Sequence, residues 1–463
     1  MLAGHSPFTV HCSQFTVRRS SFVPPGRGNF FGMRSTKCFN LGASLLLVAS
    51  AAAQDSLTLN EALMMARERN GDVRAAELGV SAARARVSQQ FAAFLPTVTP
   101  TYRYNTSRRE STVDGSTSVF NEQGSQTGVS ADWTLLDSGE RDWSWRSSRR
   151  LAEAERHLAL QTLRTILFSV HERFYDALRT QELQRVADLQ VERAETILRQ
   201  TETQVEVGAA PKKDILQARA DLLNARVQAL QIRNQTVTTE AQLKAIIGWE
   251  PHLPLPPLQA ATAPEVFELP PPMEQGKQVA LRRRPDLLAQ RERIESQRYS
   301  VLRAQRQALF GWSVGVSYDR LFTPNTAEGR SVSLVLSVPL FDGGRARAAE
   351  REARLNLEAS RNVLAQSERE IEAEIEAAYT THSQNVERVQ AAQLALEAAR
   401  LNYQAAVESQ GAGAEGTNIV TVLTAQVSLV TAESNYIEAL YDYFVSDVRL
   451  KLATGETIPG ELE

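Results

Sequence analysis

The sequence predicts an exported, mixed α and β membrane protein made of a duplicated helix–strand–strand–helix unit, with four transmembrane β-strands per chain. Three observations carry this. Residues 140–206 and 345–410 contain neither Gly nor Pro. Four shorter segments alternate apolar and polar residues with period two. Finally, WTLLDSG (residues 133–139) recurs as VPLFDGG (residues 338–344), each closing an alternating segment and opening one of the long uninterrupted stretches.

Export is read from residues 33–53. Arg34 and Lys37 form a basic region, Leu41–Val48 an apolar core, and Ala51-Ala52-Ala53 a small-residue cleavage site before Gln54. The apolar run Leu41–Ala53 is shorter than the ~20 residues a helix needs to cross a bilayer. No later run is long enough for a spanning helix. No cysteine stands at the cleavage point, so lipoprotein processing is not supported. Met33 is a more natural start than Met1, and residues 1–32 read as an upstream extension. The expected organisation is therefore extension plus signal peptide over 1–53, a first repeat over 54–250, a Pro-rich linker over 251–272 and a second repeat over 273–463. The linker holds eight of the chain's 18 prolines and cannot be helical.

Composition excludes several functions. The full chain carries 51 basic and 54 acidic residues; residues 1–53 hold five of the basic ones and no acid, leaving the remainder at -8. A nucleic-acid binder needs a basic face to displace counterions from phosphate, and this balance argues against one. Both cysteines, Cys12 and Cys38, precede residue 54, so disulfides, thiol nucleophiles and Cys-ligated metal are excluded from the mature chain. His157, His171, His252 and His382 are far apart, with no H-E-x-x-H arrangement, so no metal site is expected. Gly411–Gly416 (GAGAEG) fits G-x-G-x-x-G but follows a helix rather than a strand, so it reads as a turn and not a dinucleotide site. No G-x-x-x-x-G-K-[ST] occurs, so any pumping energy must come from a partner. No catalytic residue and no cofactor is expected.

The long stretches read as helices because apolar residues recur at three and four. Leu163, Ile166, Val170, Phe174 and Ala177 mark one stripe, and Ile371, Ile375, Ala378, His382, Val386 and Val389 the other. At 1.5 Å per residue each helix would be ~100 Å long. Ala-rich stripes mixed with Gln, Thr and Arg suit closely approaching coiled-coil contacts. Before each strand pair a helix of ~30–40 residues is expected, containing Arg69-Asn70-Gly71-Asp72-Val73 in the first half and Arg283-Arg284-Pro285-Asp286-Leu287 in the second.

Strands are expected over 97–105, 126–136, 311–319 and 330–340. One face holds Val98, Tyr102 and Tyr104; Val129, Ala131, Trp133 and Leu135; Trp312, Val314, Val316 and Tyr318; and Val332, Leu334, Leu336 and Val338. The other is mostly Thr, Ser, Gly, Asp and Asn. Strands of ~9–11 residues with apolar-out, polar-in alternation and aromatics near their ends are what a membrane barrel requires. Four strands cannot close one: open edges in hydrocarbon leave N–H and C=O groups unpaired, and about eight strands is the practical minimum. The chain must therefore assemble with copies of itself.

Together, the duplicated unit, the junction Pro339-Leu340-Phe341-Asp342-Gly343-Gly344-Arg345, the Arg283–Leu287 segment and the break Val207-Gly208 … Asp214-Ile215-Leu216-Gln217-Ala218 resemble the outer-membrane efflux protein family of TolC-type channels. The likeness covers nearly all of residues 56–454. It implies a homotrimer with a 12-stranded barrel in outer-membrane lipid, a helical tunnel across the periplasm, and coupling to an inner-membrane transporter through a periplasmic adaptor protein. Periplasmic adaptor or structural coiled-coil protein is the competing class; an adaptor should show a lipoyl-like split domain, and none is present.

The candidate functional residues fall into three groups. Asp137, Gly139, Asp342, Gly343 and Gly344 form the strand-to-helix junctions, where an acidic group suits the positive helix end and glycine permits the turn. Trp133, Trp143, Trp145, Trp312 and Tyr318 are the expected membrane-interface belt, with Arg146, Arg149 and Arg150 beside the two helical tryptophans; an ordinary amphipathic solvated face is the alternative for the helical group. The resemblance makes Gly208, Lys212, Lys213, Asp214, Thr421 and Thr424 the periplasmic tip and candidate gate. Here the chain departs from the family, which often carries acidic residues at the positions of Thr421 and Thr424.

Overall fold

The computed structural model describes residues 56–461 apart from 209, 265, 268, 271, 307–309, 323–325 and 412–418. The signal segment and the glycine-rich second turn lie outside the described residues. Each half reads helix, helix, strand, strand, long helix, return helix. The first comprises α1 (Leu59–Arg69), α2 (Gly71–Ala92), β1 (Thr97–Val113), β2 (Ser116–Leu136), α3 (Glu140–Glu206) and α4 (Lys212–Ile247). The second comprises α5 (Met273–Arg283), α6 (Pro285–Arg306), β3 (Gly311–Leu321), β4 (Ala327–Ser337), α7 (Arg345–Gly411) and α8 (Ile419–Thr454). Corresponding helices have equal lengths, 67 residues for α3 and α7 and 36 for α4 and α8.

The helix expected ahead of each strand pair is broken in two. Asn70 leaves the helical region (ψ 129°), and its side chain accepts from the Asp72 and Val73 N–H groups, capping α2. Arg284 does the same at ψ 124°, forced by Pro285, which disfavours helical geometry in the residue before it. Both residues then reach the last turn of a return helix. Asn70 Nδ2 donates to the Ile246 carbonyl at 3.0 Å, and Arg284 Nη1 to the Ala453 carbonyl at 3.1 Å. The Pro-rich segment is non-helical, and its Leu258 forms a parallel bridge to Leu57.

The strands form one antiparallel sheet in the order β1-β2-β3-β4. β1 and β2 are 17 and 21 residues long, well beyond the expected 97–105 and 126–136. The excess is a two-stranded ribbon past the end of β3, turned by Asp114 and Gly115 at positive φ (49° and 76°). It is mostly polar, with Val113, Val119 and Phe120 its only large apolar residues, so no sustained alternation marked it. β4 covers Ala327–Ser337 rather than 330–340, and Val338 lies outside it: Pro339 cannot donate to a ladder. A bulge between Thr134 and Leu136 puts Leu136, not Leu135, opposite Trp312.

The largest core cluster joins α1, α3, α4 and α8 through Leu63, Leu167, Val170, Phe174, Leu243, Ile247 and Tyr441. His171 is buried in the same stretch of α3; its Nδ1 lies 2.8 Å from the Leu167 carbonyl and Nε2 has no partner among the described residues. Burial holds its pKa below 6.5, opposed by that carbonyl; Lys451 adds to the lowering and Asp447 opposes it. The unfolded chain therefore binds the proton more readily than the folded one. Stability should fall as pH drops through the unfolded-state value of ~6.5 and continue falling towards the lower folded value. Thermal unfolding at pH 7.5 and 5.5 checks this: His171→Gln should shrink the difference, and an unchanged difference would show that another group is responsible.

Candidate functional site

The register aligns the apolar residues of all four strands on one face. Val98 stands opposite Ala131, Val316 opposite both Ala131 and Val332, Val314 opposite both Trp133 and Leu334, and Trp312 opposite Leu336. Large side chains on this face, including Val98, Tyr102, Trp133, Val332 and Leu334, are exposed in the single chain. The opposite face carries Thr97, Thr99, Thr101, Ser130, Asp132, Ser313, Ser317, Asp319, Ser331 and Ser333. An apolar band on one side and small polar residues on the other is the cross-section of a barrel wall between lipid and a wet lumen. Glycines leave room for the lumen acids: Gly128 faces Asp319, and Gly315 faces Asp132.

Below the sheet both junctions are built alike. The Asp137 carboxylate accepts from the Gly139 and Arg141 N–H groups at 3.2 and 3.0 Å, and Arg141 Nε closes an ion pair with it at 2.8 Å. Asp342 accepts from Gly344 and Ala346 at 2.9 and 2.8 Å. Those donors, Ala346 first, hold the Asp342 carboxyl below the usual carboxylate range. The acid does not sit at the N-cap itself. That position belongs to Gly139 in the first junction (φ 86°), with the carboxylate reaching over from two residues earlier. Gly343 and Gly344 also take positive φ, 68° and 87°, which a side chain would strain.

The aromatic residues are spread over two levels. Trp312 and Tyr318 lie on β3, Tyr318 opposite Val129 and beneath the Arg330 guanidinium at 5.7 Å. Trp133 Nε1 donates to the Phe94 carbonyl at 2.9 Å. Trp143 stacks on Tyr299 of α6 with centroids 5.8 Å apart, and Trp145 meets Phe91 of α2 at 6.3 Å.

At the far end, α3 closes on Val207 and on Gly208 at φ 76°, and Pro211 opens α4. Asp214 and Thr421 are each the third residue of a 36-residue helix. Asp214 is half-buried, while Lys212, Lys213, Thr421 and Thr424 are exposed. Next to them Ile197, Ala218, Ala406, Ile419, Val422 and Leu423 tie the ends of all four long helices into one cluster. A further acid here went unread in the sequence. Asp221, seven residues after Asp214 and so on the same heptad face, is half-buried, and that burial pushes its carboxyl up, opposed by Gln217. The heptad step from Asp214 was the available signal.

No helix is long and apolar enough to cross a membrane, and no group of three or more His, Cys, Asp or Glu could hold a metal, among the described residues.

A sheet apolar on one face and polar on the other, feeding paired coiled-coil helices, defines a subunit of an outer-membrane channel. The chain belongs to the outer membrane efflux protein family, whose profile matches residues 62–249 and 277–456. It is 26% identical over 446 residues to the alkaline protease secretion protein AprF of Pseudomonas aeruginosa, covering 93% of this chain and 91% of the relative. It is 27% identical over 419 residues to the pyoverdine export outer membrane protein OpmQ of Pseudomonas putida, covering 86% and 85%. The fold matches that of the outer-membrane channel OprN at a TM-score of 0.73 and 21% identity, covering 86% of this chain and 90% of that one. The Campylobacter jejuni CmeC outer membrane channel gives 0.74 at 18% identity, covering 88% and 87%. The protein is an outer-membrane efflux channel whose helices extend into the periplasm, and the adaptor reading has no support.

Proposed function

We propose that three copies of the chain close one 12-stranded barrel and one helical duct, through which cargo delivered by an inner-membrane transporter and a periplasmic adaptor leaves by diffusion. The observation that carries this is the sheet itself: its apolar face is uncovered and β1 and β4 are both open edges. In hydrocarbon such edges are tolerated only when paired. The lumen face carries small polar residues and no nucleotide motif accompanies it, so the chain supplies a path and the partners supply the energy. Light scattering of the detergent-solubilised protein should return three times the chain mass; a stable folded monomer would overturn the shared barrel. The names of the relatives give protease secretion and pyoverdine export, and the duct reading accommodates either class of cargo.

The tip acts as the gate in this reading. Three copies of Asp214 would place three carboxylates around the inner opening, where poorly screened charge biases conduction towards cations. Thr421 and Thr424 add none. Thr421→Asp with Thr424→Asp should therefore strengthen cation selectivity and block by multivalent cations, and Asp214→Ala should weaken both. Single-channel reversal potentials in planar bilayers test this. Unchanged potentials in both variants would remove these residues from the gate.

A further inference from the structure

Just below the barrel, α3 passes between α2 and α6. Phe91–Trp145 contacts mark one side and the Ser147–Ser296 hydrogen bond, 2.8 Å, the other. Between them lies a cavity of about 350 Å³ lined by Trp145, Arg146, Arg149, Arg150, Glu153 and Tyr299. A run of contacts leads down to it from the apolar sheet face, the lipid side in the barrel reading proposed above. Trp133 binds the Phe94 carbonyl, Phe94 meets Phe91 at 5.8 Å, and Phe91 meets Trp145.

The cations here are of two kinds. Arg146 pairs with Asp142 at 2.9 Å and Arg150 with Glu292 at 3.0 Å. Arg149 instead lies over the Trp145 ring at 4.9 Å, and no carboxylate pairs with it among the described residues. α6 adds to this. It runs towards the membrane, and Arg303 and Arg306 follow Tyr299 at i+4 and i+7, on one face and one to two turns nearer the bilayer. Both are exposed and likewise have no paired carboxylate among the described residues. Residues 299–306 contain no acid at all. Side chains on α3 lean towards its N-terminus, which is the membrane end, so the Arg149 guanidinium is carried up towards the headgroups.

One arginine without a paired carboxylate over an aromatic ring, with two more on the neighbouring helix one to two turns nearer the bilayer, matches a ligand with an anionic head and an apolar body. We propose that this cavity binds the phosphate headgroup of a net-negative glycerophospholipid from the leaflet facing the periplasm, with Arg149, Arg303 and Arg306 supplying charge and Trp145 and Phe91 meeting the glycerol and upper acyl chain. A zwitterionic lipid carries the same phosphate but its amine opposes the excess positive charge. Selectivity for the net-negative lipid is therefore the signature.

The full protein in detergent, titrated with dihexanoyl phosphatidylglycerol, should show a saturable change in tryptophan fluorescence, since Trp143 and Trp145 sit in or beside the cavity. Dihexanoyl phosphatidylcholine and inorganic phosphate should bind far more weakly. Each lost arginine should weaken phosphatidylglycerol binding about fivefold, so Arg149→Gln with Arg303→Gln should raise half-saturation about 25-fold. Arg149→Lys should retain most of the affinity, and Arg199→Gln, far down α3, should change nothing. Equal binding of phosphatidylcholine would overturn the charge recognition. Inorganic phosphate binding as tightly as phosphatidylglycerol would make this a plain anion site. Unchanged half-saturation in the double variant would place the lipid elsewhere. Where a variant misfolds, the three-ligand comparison on the unaltered protein still decides.

Discussion

Leu334→Pro should abolish oligomer assembly while leaving the helices folded. The reason lies in the alternation of hydrogen bonds along the sheet. The Phe322 N–H donates to the Ser125 carbonyl at 2.9 Å, so residues of β3 with even numbers turn their backbone groups towards β2. Odd-numbered residues of β3 therefore bond β4, and the partners Ser331, Ser333 and Val335 use their groups inward. The even residues Val332, Leu334 and Leu336 are left with N–H groups pointing off the open edge. Proline at 334 deletes one of those donors and puts a ring in the seam without touching the β3–β4 ladder. In hydrocarbon each unpaired group costs several kcal/mol, and a trimer would repeat the lesion at three seams. Ser333→Pro should instead damage the internal ladder, and Leu334→Ala, which keeps the N–H, should assemble. Mass by light scattering and heat-modifiable migration on gels separate the three variants. If Leu334→Pro assembles like the unaltered protein, β4 is not a subunit seam.

The sequence was legible wherever one physical constraint acted alone. α3 could be bounded because Gly139 and Gly208 flank an interval without a single breaker, and the helix fills it. The lipid-facing stripe could be read because bilayer contact forces period-two alternation, which Val314, Val316 and Val332 obey. Beyond Tyr104 that constraint ends. The ribbon to Asp114–Gly115 is built mostly of polar residues and holds together through its ladder and turn, so its Ser, Thr and Asn residues resembled loop. The Asp-Gly pair between Val113 and Ser116 was the one hairpin signal. The breaks at Asn70 and Arg284 were visible as a repeated motif, and Pro285 and the Asn70 cap are local signals for the bend; what the sequence could not show is the carbonyl more than 160 residues away that each side chain then reaches (|i−j| 176 and 169). The lipid cavity likewise needed tertiary structure: Trp145 and Arg149 were conspicuous in the sequence, whereas Tyr299, Arg303 and Arg306 acquire meaning only beside them.

Arg284→Ala should destabilise the second half more than any other single change at the helix breaks. The residue is 7% exposed and makes three kinds of contact at once. Nη1 donates to Glu374 at 2.7 Å and to the Ala453 carbonyl at 3.1 Å, and Nη2 to Asp286 at 2.8 Å. One guanidinium thus joins α5, α6, α7 and α8. Truncation leaves two carboxylates without their cation and a helix-terminal carbonyl without its donor. Removing one member of a fully buried pair costs about 3–5 kcal/mol; the carboxylates left behind here are partly exposed, Glu374 at 48% and Asp286 at 32%, so the expected loss falls below that range, about 2–3 kcal/mol. Lysine keeps the charge but has no planar fork to serve three acceptors, so Arg284→Lys should recover less than half. The first half supplies the comparison. Asn70 holds the matching position with a neutral side chain and two functions, capping α2 and binding the Ile246 carbonyl, and Asn70→Ala should cost about 1–2 kcal/mol. Guanidinium unfolding of the detergent-solubilised protein, followed by circular dichroism, measures both. Equal losses from the two substitutions would show that the ionic contacts of Arg284 add nothing to what a neutral hydrogen-bonding residue already provides at this break.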